Sequence, residues 1–144
     1  MNWVLVIAIV LICIGLLLFI PRKPKRNPVV AKRILTEHEQ KMFTLLQTAL
    51  PQHIILAQVA FSAFMTADGF ASRSVFNRKM ADFVILNQQF DVIAIIELDD
   101  ASHIGREHID AERDALIRQA GYAILRYAQL PDVRQIRDDV KRLK

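Results

Sequence analysis

Carboxylates at the end of an oily hairpin are the residues in this chain best placed to do chemistry. The stretch from Ala81 to His103 reads A-D-F-V-I-L-N-Q-Q-F-D-V-I-A-I-I-E-L-D-D-A-S-H. Two apolar runs, Phe83 to Leu86 and Val92 to Ile96, flank the turn-like Asn87 to Asp91 and predict a β-hairpin with both strands largely buried. Pairing centred on that turn sets Asp82 opposite Glu97, and directly opposed antiparallel residues project to the same face. Asp99, two residues further along, joins them. Acids held that closely repel, and each prefers to protonate or to share a cation. Oxygen ligands alone suit Mg²⁺ or Mn²⁺ better than zinc. A register slip of one residue separates Asp82 from Glu97. The alternative reading is that Asp82 caps a strand start while Glu97, Asp99 and Asp100 open a solvated loop.

Positioning such a site requires a folded domain, and the 144 residues leave room for one once the N-terminal segment is set aside. Trp3 to Ile20 is apolar and uncharged, and 1–20 is expected to form a transmembrane signal anchor. A cleaved signal peptide would need a charged start and a small-x-small cleavage site, and neither is present. Pro21-Arg22-Lys23-Pro24-Lys25-Arg26 follows, within a basic juxtamembrane linker expected over 21–34. The positive-inside rule predicts a single-pass protein of the inner membrane, N-terminus out and domain in the cytoplasm. Six of the 19 basic residues lie between Arg22 and Arg33, and all 15 acids lie from Glu37 onward. The remainder therefore carries 13 basic against 15 acidic residues, so its overall charge does not attract nucleic acid. The single cysteine, Cys13, lies in the apolar segment and excludes a disulfide framework or a zinc ribbon.

The domain, 35–144, reads as α/β. Thr36-Glu37-His38-Glu39 has capping-box form ahead of a helix that Pro51 stops. Glu39 precedes the stripe of Met42, Phe43, Leu46, Ala49 and Leu50 on the same side, although capping alone accounts for a glutamate there. His53 to Phe64 is the next strand, and Ala71 to Met80, with Arg73, Arg78 and Lys79, a loop or ragged edge strand. Lys79 is near enough in sequence to Asp82 to reach the acids. A loop with Ser102, His103 and Arg106 precedes a helix from about His108 to Ala120, which Gly121 ends. Its inward stripe is Ile109, Leu116, Ile117 and Ala120, and Arg113 falls in the same stripe. An arginine on an apolar face needs an anion, either the hairpin acids or a bound phosphate, unless it snorkels to solvent. Tyr122 to Tyr127 is a last strand. A helix from Leu130-Pro131-Asp132 carries Val133, Ile136, Val140 and Leu143 on one face, and its other face, with Arg134, Arg137, Lys141 and Arg142 mixed with Asp138 and Asp139, reads as solvated.

Three stretches together carry a family resemblance: A-D-F-V-I, then I-I-E-L-D-D-A-S-H, then D-A-E-R-D-A-L-I-R-Q-A-G-Y-A-I-L-R. From Leu35 to Tyr127 the chain resembles a bacterial family of unknown function labelled DUF2726, in the very-short-patch-repair-like branch of the PD-(D/E)XK nuclease superfamily. The resemblance implies a restriction endonuclease-like αβββαβ core with a C-terminal helix, following one N-terminal transmembrane helix. It also implies Mg²⁺- or Mn²⁺-dependent hydrolysis of nucleic acid, with Asp82, Glu97 and Asp99 as metal residues. Asp99 stands where the superfamily's lysine usually lies, and His103 or Lys79 would then replace it as base. Glu39 and Arg113 match recurring positions that support the metal or the scissile phosphate. The expected function is thus a membrane-anchored nuclease facing the cytoplasm. The alternatives are a catalytically silent nuclease-like scaffold at the membrane, or an anchored metal-sensing or assembly module.

Overall fold

The computed structural model describes residues 2–18, 27–99 and 107–143. The chain forms two compact units, Met1–Lys32 and Arg33–Lys144. In the first, helix α1 (Trp3–Leu18) is 16 residues long, a rise of about 24 Å against a hydrocarbon core of about 30 Å. It is apolar all round, with Trp3, Leu5 and Leu11 exposed, and so has no single stripe to bury against a core. No helix among the described residues is long and apolar enough to cross a membrane. Phe19, Ile20 and the basic run to Arg26, which belonged to the expected anchor and linker, lie outside the described residues.

The second unit is a mixed α/β domain. Helix α2 (Glu37–Ala49) begins with the expected capping box: Thr36 Oγ1 accepts the Glu39 N–H at 3.3 Å, and Glu39 Oε2 accepts the Thr36 N–H at 2.6 Å. Thr36→Ala removes one of these partners and is expected to destabilise the domain by about 1 kcal/mol, measured by urea unfolding. Met42, Leu46 and Ala49, at helical spacing, are buried. At the other end Arg137 donates to the carbonyls of Ala49 (3.0 Å) and Thr48 (3.3 Å), which have no partner within the helix. Arg137 makes these bonds while remaining exposed, as expected of that face.

Strands β1 (Ile54–Ala60), β2 (Met80–Leu86), β3 (Val92–Leu98) and β4 (Ile124–Tyr127) form one sheet in the order β1-β2-β3-β4. The first two pairings are antiparallel and the third is parallel. A parallel neighbour requires a crossover, which α4 (Glu107–Gln119) supplies. Helix α5 (Val133–Lys141), capped by Asp132, closes the domain. Between β1 and β2 the expected loop or edge strand is instead a 3₁₀ turn at Phe61–Ala63 and a short helix α3 (Phe70–Ser74). Gly69, at φ +80°, turns the chain into α3, in a stretch with neither a strand nor a helix period to signal it.

Both faces of the sheet are covered, which is why β2 and β3 read as continuous apolar runs rather than alternating ones. Phe83, Ile85, Ala94, Ile96, Leu98 and Tyr127 pack with Met42 and Leu46 of α2 and Ile136 and Val140 of α5. On the opposite face Val84, Leu86 and Ile95 pack with Phe61, Phe76 and Ile117, the last from α4. Ile117 is buried as expected, but Ala120 is exposed because α4 ends at Gln119. The side chain of Ile109 lies outside the described residues.

Candidate functional site

The hairpin register decides whether the acids meet. Phe83 pairs with Ile96 and Val84 with Ile95, so one further step sets Asp82 opposite Glu97. Both lie on the face of Val84 and Ile95, toward α4. The regular ladder stops at Phe83, and beyond it the Leu98 N–H donates to Asp82 Oδ2 at 2.9 Å, a side chain taking the place of a strand carbonyl. Glu97 pairs in register with Arg126 of β4. Asp82, Glu97 and Arg126 therefore form a polar row across three strands at the edge of an apolar layer.

Helix α4 brings two more charges over this row. Arg113 Nη2 lies 3.0 Å from both carboxylate oxygens of Glu97 and donates to the Met80 carbonyl at 2.6 Å. Its guanidinium carbon sits 5.7 Å from the centroid of the Phe61 ring, a cation–π contact that helps hold it in place. Asp114, buried beside it, accepts from Arg126 Nε at 2.9 Å through Oδ1 and from Arg118 at 3.2 Å through Oδ2. The second arm of Arg126 bonds Asp99. The centre is thus a network in which arginines from α4 and β4 neutralise acids from β3 and α4.

Glu97 is only 3 % exposed. Burial pushes its carboxyl up from 4.5 to about 8; Arg113 opposes the rise, Asp82 adds to it, and Arg126 and Asp114 make smaller contributions of opposite sign. For Arg126, burial disfavours the cation, but the hydrogen bond and charge of Asp114, with Asp99 and Glu97, outweigh it and raise its pKa. The rise at Glu97 has a linkage consequence. The folded state holds a proton that the unfolded chain releases above about 4.5, so this contribution to stability is full below that pH and lost as pH rises through about 8. The thermal midpoint of the wild type is expected to fall across this window, and that of Glu97→Gln to change less.

The expected site residues separate into groups. Asp82, Glu97 and Arg113 converge at the mouth of the hairpin. Asp99 is drawn to Arg126 on the β4 side. Glu39 is taken up by the α2 cap and by Gln58 Nε2 at 2.7 Å. Gln58, at φ +53°, interrupts the β1–β2 register at the level of Asp82. Lys79, half-buried, lies in the turn before β2, its carbonyl accepting the Phe61 N–H at 3.0 Å. His103, with Asp100, Ser102 and Arg106, lies outside the described residues. Among the described residues no group of three or more His, Cys, Asp or Glu side chains could hold a metal ion. Asp82 and Glu97 share one face of the hairpin, with Asp82 Oδ2 on the Leu98 N–H and both Glu97 oxygens on Arg113. Sequence pattern did not single out Asp114, Arg126 or Gln58. A charged residue inside the apolar β4 was the available signal for Arg126, but its partners lie on β3 and α4.

The fold and the centre define a mixed α/β domain whose sheet carries an acid–arginine network at the open end of a central hairpin. The chain belongs to the family described as "Protein of unknown function (DUF2726)", whose model matches residues 31–143. No curated protein and no solved structure matches it.

Proposed function

We propose that this protein is a metal-dependent nuclease of the restriction endonuclease-like, very-short-patch-repair-like class, hydrolysing phosphodiester bonds in DNA or RNA. The observation that carries the reading is the register, which puts Asp82 and Glu97 on one face of adjacent strands with Arg113 beside them. A bound Mg²⁺ or Mn²⁺ supplies Lewis-acid chemistry to phosphoryl transfer. Asp82 and Glu97 would hold it. Arg113, anchored by Met80 and Phe61, would turn part of its donor fork from Glu97 to the scissile phosphate and neutralise charge there. His103 is the proposed base, with Lys79 the alternative. Residues 1–20 and the basic linker would tether the domain to the inner membrane on its cytoplasmic side.

The test is incubation of the full chain in detergent micelles with single- and double-stranded DNA and RNA, with Mg²⁺, with Mn²⁺ and with EDTA. Cleavage that requires the cation and is lost in Asp82→Asn supports the reading. Absence of cleavage in every combination rejects it in favour of a membrane-tethered binding or scaffolding domain. One observation favours that second reading: Glu97 and Asp99 already have arginine partners without a metal.

A further inference from the structure

The segment between Gly69 and Met80 carries three cations, Arg73, Arg78 and Lys79, and no acid, although acids outnumber bases in the domain as a whole. Successive turns fold it on itself. The Arg73 N–H donates to the Gly69 carbonyl at 3.3 Å, the Asn77 N–H to Arg73 at 3.0 Å and the Lys79 N–H to Phe76 at 2.9 Å. Phe76 anchors the segment inward, 5 % exposed, whereas Phe70 is left outside at 80 %. Arg73, Arg78 and Lys79 form no ion pair among the described residues, unlike Arg113, Arg118, Arg126 and Arg142. The segment leads directly into β2, and its last residue, Met80, gives its carbonyl to Arg113 of the acid–arginine centre.

We infer that this segment is a docking strip for single-stranded nucleic acid, with a base stacked on Phe70 and backbone phosphates on Arg73, Arg78 and Lys79. The complementarity is of two kinds. Cations with no ion pair among the described residues match the phosphates, and an exposed aromatic ring matches a base face that only an unpaired strand presents. A duplex keeps its bases stacked on one another and would leave Phe70 without a partner. Delivery of the strand to Asp82 and Glu97 rests on the nuclease reading; binding itself does not.

The experiment is fluorescence anisotropy with the full chain in neutral-lipid nanodiscs and EDTA, using labelled oligothymidylate and the corresponding duplex. The single strand is expected to bind more tightly than the duplex. Phe70→Ala is expected to weaken it roughly 5- to 150-fold while leaving duplex affinity unchanged. Arg73→Ala and Arg78→Ala should each lower the slope of log affinity against log salt by about 0.7. Equal affinity for strand and duplex, or wild-type affinity in Phe70→Ala, overturns the inference. So does an emission blue shift of Phe70→Trp in anionic over neutral nanodiscs, beyond the Trp3 background, which assigns the strip to the bilayer surface. A chain that binds the strand through Phe70 yet never cleaves it with Mn²⁺ keeps the strip and rejects the nuclease. Wild-type cleavage of single strands by Phe70→Ala rejects the strip and keeps the nuclease.

Discussion

Asp82→Asn and Glu97→Gln are each expected to lower cation-dependent cleavage at least about a hundredfold, the scale on which removing one electrostatic stabiliser acts. The amides are chosen because they preserve the fold. Asparagine at 82 still offers an oxygen to the Leu98 N–H, and glutamine at 97 still offers one to Arg113. What each removes is negative charge on the shared face, and with it the capacity to hold a hard divalent ion. Asp99→Asn should reduce the rate far less, since that carboxylate already bonds Arg126. Steady-state rates with Mn²⁺, alongside thermal midpoints for each variant, check all three. Unchanged rates in both Asp82→Asn and Glu97→Gln would place the chemistry elsewhere.

Above about pH 8, where Glu97 is ionised, Arg113→Leu is expected to destabilise the domain by about 3–5 kcal/mol, the effect of breaking a buried ion pair by removing one partner. Glu97 has little contact with water and would have to protonate or stay uncompensated, and Arg113 itself is only 20 % exposed, so solvent screening does little to soften the loss. Leucine retains packing against Phe61 but cannot replace the donation to Met80. Adding Glu97→Gln to Arg113→Leu should recover much of the stability, because the charge left behind is gone. Urea unfolding of the four members of this double-mutant cycle measures the coupling directly. Additive effects would mean that the two side chains do not act as a pair.

Much of the frame is legible in the order of the amino acids. The capping box at Thr36 and Glu39 is local, since its two bonds join residues three apart and depend on nothing else in the chain. The hairpin is legible because its apolar runs are long and a turn of Asn and Asp type stands between them. The helix ending before Gly121 is legible from a single residue type, and Gly121 indeed takes φ +86°. The segment from Ala71 to Met80 is not, because a five-residue helix held by turns and by one inward phenylalanine has too short a period to read. The acid at 114 is hidden for a related reason: beside Arg113 and four residues from Arg118 it reads as a surface helix charge.

The sequence by itself determined the helices and strands other than the 3₁₀ turn and α3, the closing C-terminal helix, and the identity of the acids at the hairpin mouth. Those properties follow from side-chain period, turn chemistry and composition, all short-range along the chain. Tertiary structure alone decided how the charges divide. Crossing over the sheet, α4 sets Arg113 on Glu97, and the parallel register of β4 sets Arg126 between Asp99 and Asp114. Ion-pair choice depends on distances between elements far apart in sequence and on burial, which raises the energy of every unpaired charge, and neither is written in any local run of residues.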